Sequence, residues 1–248
     1  MRELVSINQQ VDAILLCGGK GRRFRAVTHD KIPKPLYRLN ELELIKFTLN
    51  TLDFSLINNL IFAVGHHADI IRAWVLEQDF PCNVIFSTQT ELGVLGAVTS
   101  ALKYVTADSF LVCNTDEIRD GMSMQELLHH HAEAPHLLAT MLTGYSDSLY
   151  DHRVITTDEN NVIIGSELNN PIYKEQEDII KEVNAGFVVL RTGATAYFNS
   201  AYGHDWSGMI DQLIEEHLMQ AVFNSRLTYF NVGTVKELEK ARLYLAAR

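Results

Sequence analysis

Positive charge is scarce in this chain: 21 Lys and Arg stand against 31 Asp and Glu, for a formal net charge of −10 and a pI near 5.4. A nucleic acid or an anionic membrane surface needs a broad Lys/Arg footprint, so neither is an expected partner. Any phosphate ligand has to be held by a few placed cations. Cysteine is scarcer still. Cys17, Cys82 and Cys113 are odd in number and far apart, which argues against a disulfide or zinc framework. Each lies in or beside a strand-like run, and the reading is of small buried hydrophobes in a reducing compartment. No stretch approaches the roughly 18 apolar residues of a membrane span. The N-terminus carries Glu3, and its best apolar run, residues 11–17, is short and broken by Asp12; it reads as neither signal peptide nor anchor. A soluble, cytoplasmic protein is expected.

No Pro/Gly/Ser-rich linker and no internal repeat divides the 248 residues, 47% of which are hydrophobic, enough for one large core. What is present is alternation. Strand-like runs at 13–17, 60–64, 83–86 and 110–113 interleave with amphipathic helical patterns at 42–52, 68–76, 94–103 and 124–131, a series of βα units that calls for right-handed crossovers and a mostly parallel sheet. Ala13-Ile14-Leu15-Leu16 and Phe110-Leu111-Val112 are continuously apolar, as strands covered on both faces should be. The second half is less regular: strands at 137–142, 154–157, 162–164 and 187–190, helices at 208–218 and 235–246, and Asn160-Asn161 as a hairpin turn. The expected fold is therefore α/β, a Rossmann-like domain over residues 1–248 with a mostly parallel mixed sheet flanked by helices and a smaller second lobe. In such sheets ligands sit beyond the carboxyl ends of the strands.

The first strand runs into Gly18-Gly19-Lys20-Gly21-Arg22-Arg23, followed by Thr28 and Pro33-Lys34-Pro35-Leu36. Glycines at a strand terminus let main-chain N–H groups approach phosphate oxygens, while arginine and lysine supply charge and directed donors. Neither Gly-x-x-x-x-Gly-Lys-Ser/Thr nor Gly-x-Gly-x-x-Gly fits the spacing. Taken whole, this segment closely resembles the signature of the nucleotide-diphospho-sugar pyrophosphorylases, the sugar-1-phosphate thymidylyl-, guanylyl- and uridylyltransferases. Further points of resemblance follow in the family's order: Gln89-Thr90-Glu91-Leu92-Gly93 with Gly96-Ala97, Asn114-Thr115-Asp116 after a buried strand, Asn184-Ala185-Gly186, and Asn231-Val232-Gly233-Thr234.

The resemblance implies an in-line attack by a sugar 1-phosphate on the α-phosphorus of a nucleoside triphosphate, giving an NDP-sugar and pyrophosphate with Mg²⁺. It divides the chain at roughly 11–118 for the nucleotide and 119–248 for the acceptor. On it, Arg23 would hold the leaving pyrophosphate, Lys34 would neutralise charge at the α-phosphate, and Gly18, Gly19 and Gly21 would cradle the nucleotide. Gln89 and Gly93 would face the base, Asn184, Gly186 and Glu167 the sugar, and Asp116 with Asn231 the metal. A homodimer is the default assembly. The Glu91-Leu92-Gly93 stretch leans toward the guanylyl and heptose-type branch, while Gln89 is shared with thymidylyl and uridylyl enzymes. Two departures stand out. The family's Glu-Lys pair is here Glu167-Leu168, leaving Lys174 or Lys181 as substitutes, and its second metal-site aspartate is Asn231. They keep two alternatives open: a catalytically weak nucleotide-sugar sensor or regulatory subunit, and a transferase for a non-sugar phosphate or phosphonate. Elsewhere, Glu117 reads as a solvated neighbour. His129-His130-His131 reads as charge suited to a helix C-terminus rather than as a zinc site. Asp205-Trp206 reads as a helix start that fills an apolar gap, with the border of the sugar pocket as the alternative.

Overall fold

The computed structural model describes residues 10–89, 91, 93–149, 152–174, 179–199 and 205–247. Glu3, Thr90, Leu92 and the side chain of Lys174 lie outside them. Strand β1 (Val11–Leu16) is almost wholly buried, as its apolar run requires. The chain then passes through a 3-10 turn (Arg22–Phe24), a single helical turn α1 (Arg25–Thr28) and a second 3-10 turn (Lys34–Leu36). A small hairpin follows, β2 (Arg38–Leu39) with β3 (Leu42–Glu43), and then α2 (Leu44–Leu49). The regular alternation continues as β4 (Ile57–Val64), α3 (Ala68–Leu76), β5 (Asn83–Thr88), α4 (Gly93–Ala101) and β6 (Ser109–Asn114). After β7 (Glu117–Asp120) and α5 (Met124–Glu133) come β8 (Ala139–Ser146), β9 (Val154–Thr157), β10 (Ile163–Glu167) and β11 (Lys181–Arg191). The chain ends in α6 (Trp206–Glu215), β12 (Met219–Phe223), β13 (Thr228–Asn231) and α7 (Val235–Ala246).

The nine-stranded sheet runs β10-β9-β11-β6-β1-β4-β5, with β8 also on β11 and β12 on β8. Strands β6, β1, β4 and β5 are mutually parallel and β12 is parallel to β8, whereas β11 runs against β6 and β8. Successive residues of β1 point to opposite faces: Leu15 packs with Phe62, Leu111 and Phe187 on one, Ile14 with Ile61, Val112 and Val188 on the other. A third cluster joins Phe24, Leu44, Ile118 and Val232 with Leu238 of α7. Asp12, which interrupts the first apolar run, is fully buried at the amino end of the sheet. Its carboxylate accepts from Asn59 N (3.0 Å), Asn59 Nδ2 (2.7 Å), Thr106 N (2.6 Å) and Ala107 N (2.9 Å), so the buried charge is matched by donors.

Several elements differ from the sequence expectation. The 42–52 helix begins only at Leu44, because Leu42-Glu43 pair back onto β2. The 208–218 helix stops at Glu215; His217 takes a left-handed φ of 55° and Leu218 leads into β12, a strand whose apolar run merges with the helical pattern. Cys17 and Cys113 are buried, their thiols pushed up in pKa chiefly by burial, to about 12 for Cys17, but Cys82 is only half-buried, in the turn before β5. Asn161 adopts φ 62° between β9 and β10, as the hairpin expectation requires. No helix among the described residues is long and apolar enough to cross a membrane.

Candidate active site

The carboxyl ends of β1, β4, β5 and β6 open into a cavity of about 700 Å³. Gly18, Gly19, Gly21, Arg23, Lys34, Gln89, Gly93 and Asp116 all line it, together with Lys20 and Arg22. Four cations thus converge in a chain that is acidic overall. Gly18 is required by crowding: a Cβ there would sit 2.8 Å from Gln89 Oε1 and 2.9 Å from Gly65 N, so β1 and β4 could not end this close with any other residue. Gln89 turns its Nε2 onto the carbonyls of Glu91 and Gly93 (2.8 Å for the latter), which fixes the entry to α4 beside the cavity.

Lys34 is held from two sides. Its Nζ lies 5.4 Å from the Phe24 ring centroid and donates to Asp116 Oδ2 in a close ion pair. Burial works against ionisation of Asp116, but the Lys34 charge and hydrogen bond, with Arg119 behind, outweigh it and hold the carboxyl below its ordinary value. The β13 segment reaches the same place: Val232 N donates to the Asp116 carbonyl at 3.1 Å, and Asn231 pairs with Glu117 in the β7–β13 ladder. Gly233 brings this segment near Arg23.

A second cavity of about 190 Å³ shares Leu16, Val94 and Asn114 with the first. Asn184, Gly186 and Asn231 line it, as does Trp206 at the start of α6, whose N-cap Asp205 accepts from Gly208 N. The Asn184-Ala185-Gly186 step is a β-bulge in β11, where the register against β8 shifts between Asn184 and Val188. Bulges re-aim side chains beside functional sites. Here Asn184 Oδ1 accepts from Gly186 N (2.8 Å), which leaves its amide NH₂ for a ligand. Gly186 has φ 73°, and a Cβ on it would overlap the Glu117 carboxylate.

Glu117 is the principal correction to the sequence reading. Far from solvated, it is buried, ion-paired to Arg119 and bonded by Asn114 Nδ2 at 2.8 Å. Arg119, wholly buried, also donates to the carbonyl of Ala185 and to Thr48 Oγ1 (3.2 Å), and lies over the Phe187 ring at 4.3 Å. It therefore locks β6, β7, α2 and the bulge of β11 together. A single Arg in an ordinary strand pattern carries no sequence signal for that. Glu167 is not brought to the second cavity: its carboxylate takes Asn170 Nδ2 (2.6 Å) and Tyr173 OH (3.1 Å), and Lys181 likewise turns to Tyr173 OH (2.8 Å). His152 and Arg153, on which sequence reasoning was silent, line the cavity instead. His131 is no terminal charge. It is buried between Ser109 Oγ (3.2 Å) and Thr140 Oγ1 (2.8 Å), and burial with Arg191 nearby lowers its pKa to about 4. Asp30, His66 and His67 present ligand atoms within 4.8 Å of one another, with Asp30 Oδ1 2.9 Å from His66 Nε2 and 3.5 Å from His67 Nε2, a group that could hold a metal ion.

A family model described as nucleotidyl transferase matches residues 12–247. Among curated proteins, the chain is 31% identical over 111 residues to the D-glycero-alpha-D-manno-heptose 1-phosphate guanylyltransferase of Campylobacter jejuni, covering 44% of this chain and 49% of that one. It is 23% identical over 246 residues to the UTP–glucose-1-phosphate uridylyltransferase of Synechocystis, covering 92% of this chain and 62% of the relative. The match thus spans less than two thirds of either relative. Solved structures of similar fold include HddC from Yersinia pseudotuberculosis (TM-score 0.71, 19% identity, 95% of this chain and 100% of that one). A putative glucose-1-phosphate thymidylyltransferase from Bacillus anthracis is also alike (TM-score 0.77, 17% identity, 94% of each chain).

Proposed function

The chain belongs to the nucleotidyl transferase family, and from that premise we propose that it joins a nucleoside triphosphate to a sugar 1-phosphate and releases pyrophosphate. One observation carries the reading. The cation-rich cavity and the smaller one meet at Asn114, two residues from the Lys34–Asp116 pair. The reaction brings two anions together, so it needs screening and positioning rather than a covalent nucleophile. Arg22, Arg23 and Lys20 supply charge for the triphosphate tail, and the Gly18–Gly21 backbone supplies N–H donors. An ammonium carries three donors. Lys34 gives one to Asp116 and directs the others at the α-phosphate, where charge develops. Asn184 and Gly186 meet the sugar beside the Trp206 wall.

Asp116 and Asn231 offer a carboxylate and an amide oxygen on adjoining segments, hard donors that suit Mg²⁺. Held there, the ion would screen phosphate charge. With one carboxylate in place of two, its affinity is low. Guanine is the favoured base, supported by the partial match to the heptose 1-phosphate guanylyltransferase. The test is pyrophosphate release across GTP, UTP, dTTP, CTP and ATP against a panel of sugar 1-phosphates, phosphocholine and phosphonates with Mg²⁺. Turnover with a sugar 1-phosphate is the expected result. Nucleotide binding without turnover on any pair would replace the enzyme by a nucleotide-sugar sensor.

A further inference from the structure

The second cavity is poor in charge. Of the described residues that line it, Arg153 alone is a lysine or arginine; Glu117 there is committed to Arg119, and Arg153 is ion-paired to Asp211 through Nη1. Among those residues an anionic acceptor has one cation to meet. Arg153 is buried and pre-set. Its Nη1 donates to Ser166 Oγ (2.6 Å) and to Asp211 Oδ1, and Nη2 makes a long contact of 3.5 Å to the Ser207 carbonyl. A guanidinium has five N–H donors in a fixed fork, so among the described residues Nε and an Nη2 hydrogen carry no bond while the others fix the plane of the group.

His152 stands next to it. It is 5% exposed and packs edge-on to Tyr229 at 5.3 Å. Its Nδ1–H donates to the Ser148 carbonyl, which in the neutral ring leaves a lone pair on Nε2; that atom is buried and has no partner among the described residues. A buried polar atom left unpaired costs stability unless a ligand satisfies it. Across the β9–β10 hairpin, Glu167 faces Val154, and continuing that register by one residue sets Leu168 opposite Arg153. Both side chains line the cavity, so position 168 is a second place from which a cation would reach the same ligand.

We infer that His152 and Arg153, at the entry to β9, form the acceptor clamp: Arg153 takes the anionic group of the acceptor, and His152 Nε2 accepts a hydrogen bond from one of its hydroxyls. The ligand class is a polyhydroxylated ring bearing phosphate. The assignment rests on the proposed transferase activity for its place in the reaction, but its test does not.

Binding of glucose 1-phosphate, mannose 1-phosphate and inorganic phosphate is measured by calorimetry on the wild-type chain, Arg153→Ala, Arg153→Lys, His152→Phe and Arg153→Ala/Leu168→Lys, with circular dichroism as the folding check. Arg153→Ala should weaken all bound phosphates tenfold or more, and Arg153→Lys should recover part of the loss. His152→Phe should weaken the sugar phosphates and leave inorganic phosphate unchanged. The double variant should regain at least half of the lost affinity on a logarithmic scale. Where turnover is present, the acceptor KM should rise in Arg153→Ala while the triphosphate KM stays within twofold. A folded Arg153→Ala chain that binds every phosphate like the wild type overturns the clamp, and so does a wild-type chain that binds none of the three. Should Arg153→Ala not fold, Leu168→Lys in the wild-type background decides: tighter sugar-phosphate binding supports the site and unchanged binding overturns it. Binding that follows these expectations without turnover leaves the clamp standing and refutes the transferase instead.

Discussion

The two cavities share Leu16, Val94 and Asn114 as a common wall, yet they are assembled in different ways. The larger draws its four cations from one continuous stretch, Lys20 to Lys34, folded over the ends of parallel strands. The smaller collects single residues from β6, β7, β11, α6, β13 and the approach to β9, around one arginine. Under the proposed function the difference in charge fits the two substrates: a triphosphate needs several cations, while an acceptor with one phosphate needs a cation and hydroxyl partners. The difference also separates what tolerates change. The larger cavity is edged by exposed loop side chains, and the smaller is part of the buried Glu117–Arg119 network, so mutations in the first should act on chemistry and mutations in the second on folding as well.

The sharpest test of that contrast is Asp116→Asn. It takes the carboxylate from both the Lys34 pair and the proposed metal position, and turnover should fall by about 10³-fold or more while the unfolding midpoint changes little. Ordinary activity at millimolar Mg²⁺ would remove Asp116 from the site. Lys34→Ala comes next, with an expected drop of about 10²–10³-fold in kcat. Arg23→Ala should lose somewhat less, since its side chain is exposed and neighbouring cations share its work. Two folded variants at near-normal rates would show that the cation-rich cavity does not hold the reacting phosphates.

A smaller change is expected from Asn231→Asp. If the amide there is what weakens the ion, a carboxylate should lower the Mg²⁺ concentration for half-maximal activity several-fold through added Coulomb attraction; an unaltered Mg²⁺ titration would separate Asn231 from the metal. The smallest effect on function, and a pure effect on folding, belongs to His131, remote from both cavities. Its folded pKa of about 4 lies below the ordinary 6.5, so below pH 6.5 the unfolded chain takes up a proton that the folded chain refuses. Stability from this group is complete above pH 6.5 and is lost as the pH falls toward 4, by about 3 kcal/mol in all. Urea unfolding at pH 7 and pH 4.5 should show this loss in the wild type, and His131→Gln should flatten it. An equal pH slope in both proteins would place the acid sensitivity elsewhere.

The sequence spoke most clearly where structure is local. Gly18 to Lys34 reads as a phosphate loop because glycine, cation and proline positions follow directly along the chain, and all of its assigned residues meet in one cavity. Helices α3 and α7 and strand β9 begin and end where their patterns place them. The Asn184-Ala185-Gly186 step was legible as a motif, but not as a bulge, since a bulge exists only against a partner strand. Strands β7, β12 and β13 were missed for a similar reason: each is short and takes its order from pairing, β12 with β8 and β13 with β7.

By itself, then, the order of residues determined the alternating α/β plan, the loop that gathers positive charge in an acidic chain, and the absence of a long apolar span. These follow from periodicity and from chemistry carried within a few neighbouring residues. The tertiary structure alone decided which carboxylates are free to act. Asp12, Asp116, Glu117 and Glu167 are the same kind of group, but Asp12 is fully bonded at the amino end of the sheet, Glu117 is buried against Arg119, Glu167 faces Asn170 and Tyr173, and Asp116 opens into the cavity beside Lys34. It also placed Arg153, drawn from a stretch with no motif, as the cation among the described residues of the smaller cavity. Burial and ion pairing depend on distances between segments far apart in the chain, and those distances exist only once the sheet has assembled.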